Sequence, residues 1–150
     1  MISAHRARRI ALQGLCCLDV QGERARGLVD SFLDDSHEPA ETLAAARELL
    51  AAAWADRAAC DELLARHARN WVLSRLALVD RNILRLAACE LRQAKTPVRV
   101  AISEALKLAG EFSTSESPRF VNGVLDAAAR EISRDAGDAG DKNTQEDKQG

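Results

Sequence analysis

Residues 74–94 read SRLALVDRNILRLAACELRQA, and this stretch decides the fold class. Its apolar residues recur every three or four positions, which places them on one broad face of an α-helix. The same periodicity returns on both sides of the stretch, and no run alternates as a half-buried strand would. We therefore predict an all-α protein with this helix at the centre of its core. The predicted core face comprises Leu76, Val79, Ile83, Leu86, Ala87, Cys89, Leu91 and Ala94.

About seven helices are predicted from the apolar spacing and from the residues that begin and end helices. Their approximate bounds are 4–20, 23–33, 39–54, 57–69, 74–94, 97–112 and 118–133. Pro39, Pro97 and Pro118 each fit the first turn of a helix, where the missing N–H is harmless. Thr96 and Ser117 precede two of these prolines, so we expect them to cap the sixth and seventh helices.

The chain of 150 residues predicts one compact domain followed by a tail. Its composition, 47% apolar and 29% charged, is typical of a globular protein. It has no apolar stretch that could span a bilayer or serve as a signal peptide, so we expect a cytoplasmic protein. Residues 135–150 hold five acids, two lysines and no apolar residue larger than alanine. We predict a helical domain over 1–134 and a disordered acidic tail over 135–150.

No catalytic or metal-binding arrangement is apparent in the sequence. The cysteines and histidines lack the paired spacing of a zinc site. Cys16, Cys17, Cys60 and Cys89 each lie in an apolar helical context, which predicts reduced and buried thiols. The chain also has no Gly-rich phosphate loop and no grouping of nucleophile and base. We therefore predict a protein that is not an enzyme and that uses neither a cofactor nor a metal.

Positive charge is concentrated at the start of the chain. The first 26 residues contain five arginines and two acids, whereas residues 27–62 contain two arginines and nine acids. His5, Arg6, Arg8 and Arg9 all lie in the first turns of the first helix, where the positive end of the helix dipole disfavours cations. Two interpretations stay open: solvent screens this basic turn, or an external anion such as RNA compensates for it.

The start of the seventh helix is a second candidate for RNA contact. It reads SPRFVNG over residues 117–123. Gly123 lies inside the helix, where glycine usually marks the close approach of a neighbouring backbone. Phe120 is either a core residue or a platform on which an unpaired base stacks. Asn122 either satisfies a buried carbonyl group or reads the edge of a base.

Four blocks of the sequence resemble, in order, the motifs of the bacterial transcription antitermination factor NusB family. They are RARRIALQGL at 6–15, DRNILRLAACEL at 80–91 with Trp71 before it, PVRVAISEA at 97–105 with Phe112 after it, and FVNGVLD at 120–126. The resemblance covers nearly all of residues 1–134. It implies an all-α fold of about seven helices in two small helical subdomains.

The resemblance also implies a function in RNA binding without catalysis. Members of the family bind the boxA element of ribosomal RNA leaders together with the NusE ribosomal protein, in the RNA polymerase antitermination complex. Asp80 and Arg81 correspond by position to a NusE contact surface. The residues assigned to RNA contacts, from the resemblance and from the basic cluster, are Arg6, Arg8, Arg9, Gln13, Glu116, Arg119, Phe120 and Asn122.

Three residues depart from the family pattern. Cys16 stands where an aromatic residue is frequent, Ser103 where asparagine is usual, and Pro118 where a polar or basic residue is frequent. Each change removes a possible polar, phosphate or stacking contact, so we expect RNA binding to be retained but weakened. Two alternatives stay open. One is a protein-interaction module or homodimer that hides the basic helix, and the other is the RNA-binding half of an rRNA cytosine methyltransferase, which the length of the chain disfavours.

Overall fold

A computed structural model describes residues 3–68 and 75–147, with side chains described up to residue 137. These residues form seven α-helices and one short 3-10 turn and contain no strand, which confirms the predicted fold class. Trp71 and the predicted bounds at 69 and 74 lie outside the described residues. The elements are α1 (Ala4–Gln21), the 3-10 turn (Glu23–Ala25), α2 (Arg26–Asp35), α3 (Ala40–Ala55), α4 (Arg57–His67), α5 (Leu78–Gln93), α6 (Val98–Phe112) and α7 (Ser117–Asp147).

Helix α5 is the centre of the core, as its apolar spacing predicts. It packs against α1, α3, α4, α6 and α7, and Ile83, Leu84 and Ala88 in its middle are fully buried. The seven helices fall into two groups of neighbours. The first group is α1–α3 and the second is α4–α7, and the two groups meet where α1 and α3 pack on α5. Gly14 brings α1 close to α3, because a Cβ there would lie 2.7 Å from a methyl carbon of Leu50. The two-subdomain architecture is therefore present.

Two of the predicted helix caps are wrong. Pro97 has an extended ψ of 139°, so α6 begins one residue later than predicted and Thr96 lies too far upstream to cap it. Ser117 lies in the first turn of α7, but its hydroxyl donates to Asp80 at 3.1 Å instead of capping the helix. The start of α7 is thus held by a tertiary contact with Asp80 and by local contacts of Ser117 with Ser113 and Thr114.

Helix α7 is longer than predicted. It continues to Asp147, so the predicted end near Ser133 is wrong. The sequence after Ser133 contains no proline to break the helix, although Gly137, Gly140 and the aspartates lower its helix propensity. Disorder of residues 135–150 in solution stays a prediction. Neither α7, which has 31 residues, nor any other helix in the described ranges is long and apolar enough to cross a membrane.

The four cysteines are free thiols that differ in burial. Cys60 and Cys89 lie in the core, whereas Cys16 and Cys17 on α1 are only half-buried. The prediction of buried thiols is therefore confirmed for Cys60 and Cys89 and is wrong for Cys16 and Cys17. Burial, together with the nearby Asp19 carboxylate, raises the pKa of the Cys16 thiol to about 11. A thiol with so high a pKa is protonated at neutral pH and is a poor nucleophile.

Candidate nucleic-acid interface

The N-terminal half of α1 presents a polar row to solvent. Arg6, Arg9 and Gln13 are exposed and follow one another at intervals of three and four residues, which places them on one face of the helix. Ala7 and Ile10 lie between them and are buried in the core. The helical repeat therefore directs two of the predicted RNA-contact arginines and the predicted glutamine towards solvent.

Arg8 lies on a different face of α1 and is buried. Its Nε and Nη2 atoms donate to the two carboxylate oxygens of Glu90 on α5, at 3.1 and 2.7 Å. The two side chains are only 9% and 5% exposed. This placement corrects the prediction that Arg8 contacts RNA, because its guanidinium group is held by an internal carboxylate where a polyanion cannot reach it. The pair instead fixes α1 against α5.

Arg6 and Arg9 have carboxylate partners that leave them accessible. Arg6 donates from Nη2 to Glu38 at 2.7 Å, and Nε of Arg9 lies 3.8 Å from a carboxylate oxygen of Glu111. The Arg9 guanidinium also lies over the ring of Phe112, 5.6 Å from its centroid. The two arginine side chains are 53% and 46% exposed, so water screens these pairs, which are each worth about 0–1 kcal/mol. A phosphate can displace such carboxylates.

Acidic side chains of the same chain lie against His5 and partly balance the positive charge at the start of α1. Its Nδ1 lies 2.8 Å from a carboxylate oxygen of Glu104, and its Nε2 contacts Glu111. Both acids belong to α6, which lies alongside the start of α1. Internal acids thus account for part of the charge balance that the sequence alone would assign to an external anion.

The start of α7 exposes most of the residues predicted there. Arg119, Asn122 and the preceding Glu116 are exposed, whereas Phe120 is half-buried and packs against the core. Exposure of Asn122 excludes the alternative in which it satisfies a buried carbonyl group. A Cβ added to Gly123 would meet nothing within 4 Å, so the predicted approach of a neighbouring backbone is not found among the described residues. The glycine leaves an open surface beside Asn122.

Helix α6 lies between the α1 row and Asn122. Arg9 reaches Phe112, the last residue of α6, and the loop that follows leads directly to Glu116 and α7. Asn122 instead lines a groove between α6 and α7, together with Ile102 of α6. The structure therefore brings Arg9 next to the loop before α7 and leaves Asn122 on the other flank of α6. Sequence analysis missed Phe112 as the residue that links the two regions.

The two predicted NusE contacts are engaged inside the chain. Asp80 is buried and accepts hydrogen bonds from the hydroxyls of Ser113 at 2.7 Å and Ser117 at 3.1 Å. Arg81 donates to Asp19 from Nε at 2.8 Å and from Nη2 at 2.7 Å. Contact of Asp80 and Arg81 with NusE stays a prediction. Asp80 ties the loop between α6 and α7 to the start of α5, and Arg81 ties α5 to the end of α1.

Comparison with known proteins decides the family. The model of the NusB family matches residues 5–130. The chain belongs to the NusB family. The transcription antitermination protein NusB of Solibacter usitatus is 41% identical over 134 residues, which cover 88% of this chain and 92% of the relative. The NusB protein of Symbiobacterium thermophilum is 39% identical over 145 residues, covering 91% of this chain and 95% of the relative.

Solved structures of NusB proteins share this fold. NusB of T. maritima gives a TM-score of 0.78 at 32% sequence identity, and the match covers 87% of this chain and 94% of the other. A chain in the crystal structure of antitermination factors NusB and NusE in complex with dsRNA gives a TM-score of 0.75 at 25% identity. That match covers 84% of this chain and 95% of the other.

Proposed function

We propose that this chain is a non-enzymatic, RNA-binding transcription antitermination factor. It binds boxA-type single-stranded RNA of ribosomal RNA leaders and acts with the NusE ribosomal protein in the RNA polymerase antitermination complex, in the cytoplasm. Family membership supports this proposal, because the matched relatives are transcription antitermination proteins and a structural relative was crystallised with NusE and RNA.

The observation that carries the proposal is the exposed row of Arg6, Arg9 and Gln13 on α1. Two guanidinium groups lie here with screened carboxylate partners, so RNA phosphates can replace those partners and release counterions. The Gln13 amide offers both a donor and an acceptor to the edge of an unpaired base. The row thus combines attraction to the RNA backbone with a group that reads bases.

The start of α7 extends this surface beyond the end of α6. Arg119 offers a further cation for phosphate, and Glu116 offers an acceptor for a base amino group. Phe120 presents the exposed part of its ring for stacking while the remainder packs on the core. Asn122 is reached by an RNA strand that passes over α6.

The double variant Arg6→Ala/Arg9→Ala tests the proposed phosphate contacts. We expect weaker binding of a boxA-like RNA and a plot of log K against log salt concentration whose slope is shallower by roughly 1.4, since each phosphate contact on a single strand contributes about 0.7. Filter binding at several salt concentrations measures both quantities.

The matched control is Arg26→Ala/Arg66→Ala, which removes the same charge from two exposed arginines away from the α1 row. We expect it to leave the slope near that of the unmodified chain. An equal change of slope in both double variants would refute a specific role for Arg6 and Arg9.

Glu38→Gln is expected to raise RNA affinity by a factor of roughly 1.4 to 5, because a surface pair worth about 0.2–1 kcal/mol no longer competes for Arg6. One oxygen of the Glu38 carboxylate accepts from Arg6, and within the described residues the other is buried without a hydrogen-bond partner. Titration of RNA at fixed salt measures the change. Glu41→Gln removes an acid from the exposed start of α3 and serves as the control; an equal gain there would indicate only a general charge effect.

A further inference from the structure

A continuous groove runs between α1 and α2. One cavity of about 250 Å³ contains Arg6, Arg9 and Glu38, and an adjacent cavity of about 500 Å³ contains Cys17 and Leu28. Gln13 and Phe32 line both cavities, so the two form one groove with a cationic end and an apolar end. We refer to it as the α1–α2 groove.

The apolar end leaves two large side chains in water. Leu28 and Phe32 are 60% and 53% exposed, although Val29 and Leu33 beside them on α2 are buried in the core. Leu28 and Phe32 lie four residues apart and therefore on the same side of α2, facing the groove. Packing within the described residues accounts for Val29 and Leu33 but leaves this pair as an apolar patch at the groove, which a ligand with an apolar face can cover.

The cationic end identifies the kind of ligand that fits. Arg9 and Gln13 are separated by about 6 Å along α1, since a helix rises 1.5 Å per residue. A partner that is only apolar would gain nothing from the two arginines and would have to desolvate them. A nucleotide carries a phosphate, a polar base edge and a flat apolar base face, and these match the two arginines, Gln13 and Phe32, which line the groove together.

We propose that the α1–α2 groove is a nucleotide subsite for single-stranded RNA. A phosphate lies between Arg6 and Arg9, the Gln13 amide hydrogen-bonds the base edge, and the base stacks on Phe32 with Leu28 beside it. This inference rests on the proposed function and extends the RNA surface from α1 onto α2. The subsite supplies a stacking aromatic ring from α2, in addition to Phe120 on α7.

The test is the affinity of Phe32→Ala for a boxA-like RNA carrying 2-aminopurine at successive positions. We expect a loss of affinity of about 5- to 150-fold, the range covered by stacking of one base on an aromatic ring. The salt slope should not change, because stacking releases no counterions. One 2-aminopurine position should be quenched on binding the unmodified chain and not on binding Phe32→Ala.

Two variants keep the test independent of folding. Phe32→Trp retains an aromatic face and should retain both affinity and quenching. Phe32→Leu retains apolar bulk without the ring and should lose both, while thermal unfolding of each variant stays close to that of the unmodified chain because the side chain is exposed.

The outcomes separate this inference from the proposed function. Salt-dependent RNA binding that is sensitive to Arg6→Ala/Arg9→Ala but unaffected by Phe32→Ala would overturn the subsite and leave the proposed function standing. Absence of RNA binding by the unmodified chain would overturn both. If Phe32→Ala leaves RNA affinity unchanged and dissociates a dimer in sedimentation, the groove is a protein interface and the subsite is refuted.

Discussion

Replacing Glu90 by alanine is expected to lower the free energy of unfolding by about 3–5 kcal/mol, because it leaves a buried guanidinium group without its counter-ion. Arg8 donates two hydrogen bonds to Glu90, and its other recorded contact is a long one of 3.5 Å to the carbonyl of Ala4. Both side chains are almost fully buried, so the guanidinium group would lose its two strongest hydrogen bonds together. The substitution therefore weakens the contact between α1 and α5.

Urea denaturation of the Glu90→Ala variant measures this change. In a chain of this size each kcal/mol corresponds to roughly 2–4 °C, so the melting temperature should fall by about 10 °C. The control is the double variant Arg8→Met/Glu90→Leu, which should recover most of the stability because a buried ion pair can often be replaced by apolar residues of similar volume. A loss below about 1 kcal/mol in Glu90→Ala would contradict the buried pair and return Arg8 to the candidate RNA contacts.

Replacing Asp19 by alanine is expected to cost about 2–3 kcal/mol, the range for hydrogen bonds to a charged group whose partners are left buried. One carboxylate oxygen of Asp19 accepts from Arg81 at 2.8 Å, from Asn82 at 2.9 Å and from Arg85 at 3.1 Å. Asn82 is fully buried, so its amide would lose a partner that water cannot replace. Arg85 keeps its contacts with Asp61, which limits the loss.

The same carboxylate makes stability depend on pH. Burial favours the protonated form of Asp19, but hydrogen bonds from Asn82 and Arg81 and the charge of Arg85 outweigh it and lower the pKa below 3.8. A lowered pKa in the folded state means that the stabilisation is present above the unfolded value and is lost as the pH falls through the folded value.

Urea denaturation of the unmodified chain and of Asp19→Asn at several pH values tests whether the stabilisation by Asp19 is lost in acid. The difference between their unfolding free energies should be largest near neutral pH and shrink in acid. A difference that does not change with pH would show that the charge of Asp19 contributes nothing.

The number of helices and the central position of α5 could be predicted because both depend on the spacing of apolar residues. The difference in burial between Arg8 and its neighbours Arg6 and Arg9 was harder to predict. Arg8 pairs with a residue 82 positions away, and no local rule identifies Glu90 as its partner. One signal was available: Arg8 precedes Leu12 and Leu15 by four and seven residues, which places it on the buried face of α1.

Acidic residues show the same limit of local reasoning. Asp80 lies in the first turn of α5, where a carboxylate is favoured by the helix dipole alone. Its observed partners, Ser113 and Ser117, follow it by 33 and 37 residues and come from the loop before α7. The exposure of Phe32 is likewise set by how α2 lies against α1. These features required the three-dimensional arrangement.

The division between Arg8 and its two neighbours on α1 has a consequence for protein engineering. Arg6 and Arg9 face outward and Arg8 faces inward, so a single helical turn separates positions that tolerate change from one that does not. A library that randomises positions 6, 9 and 13 while holding Arg8 and Glu90 constant should keep the scaffold folded and alter only which RNA it selects. The proposed RNA contacts on α1 can therefore be varied without redesign of the core.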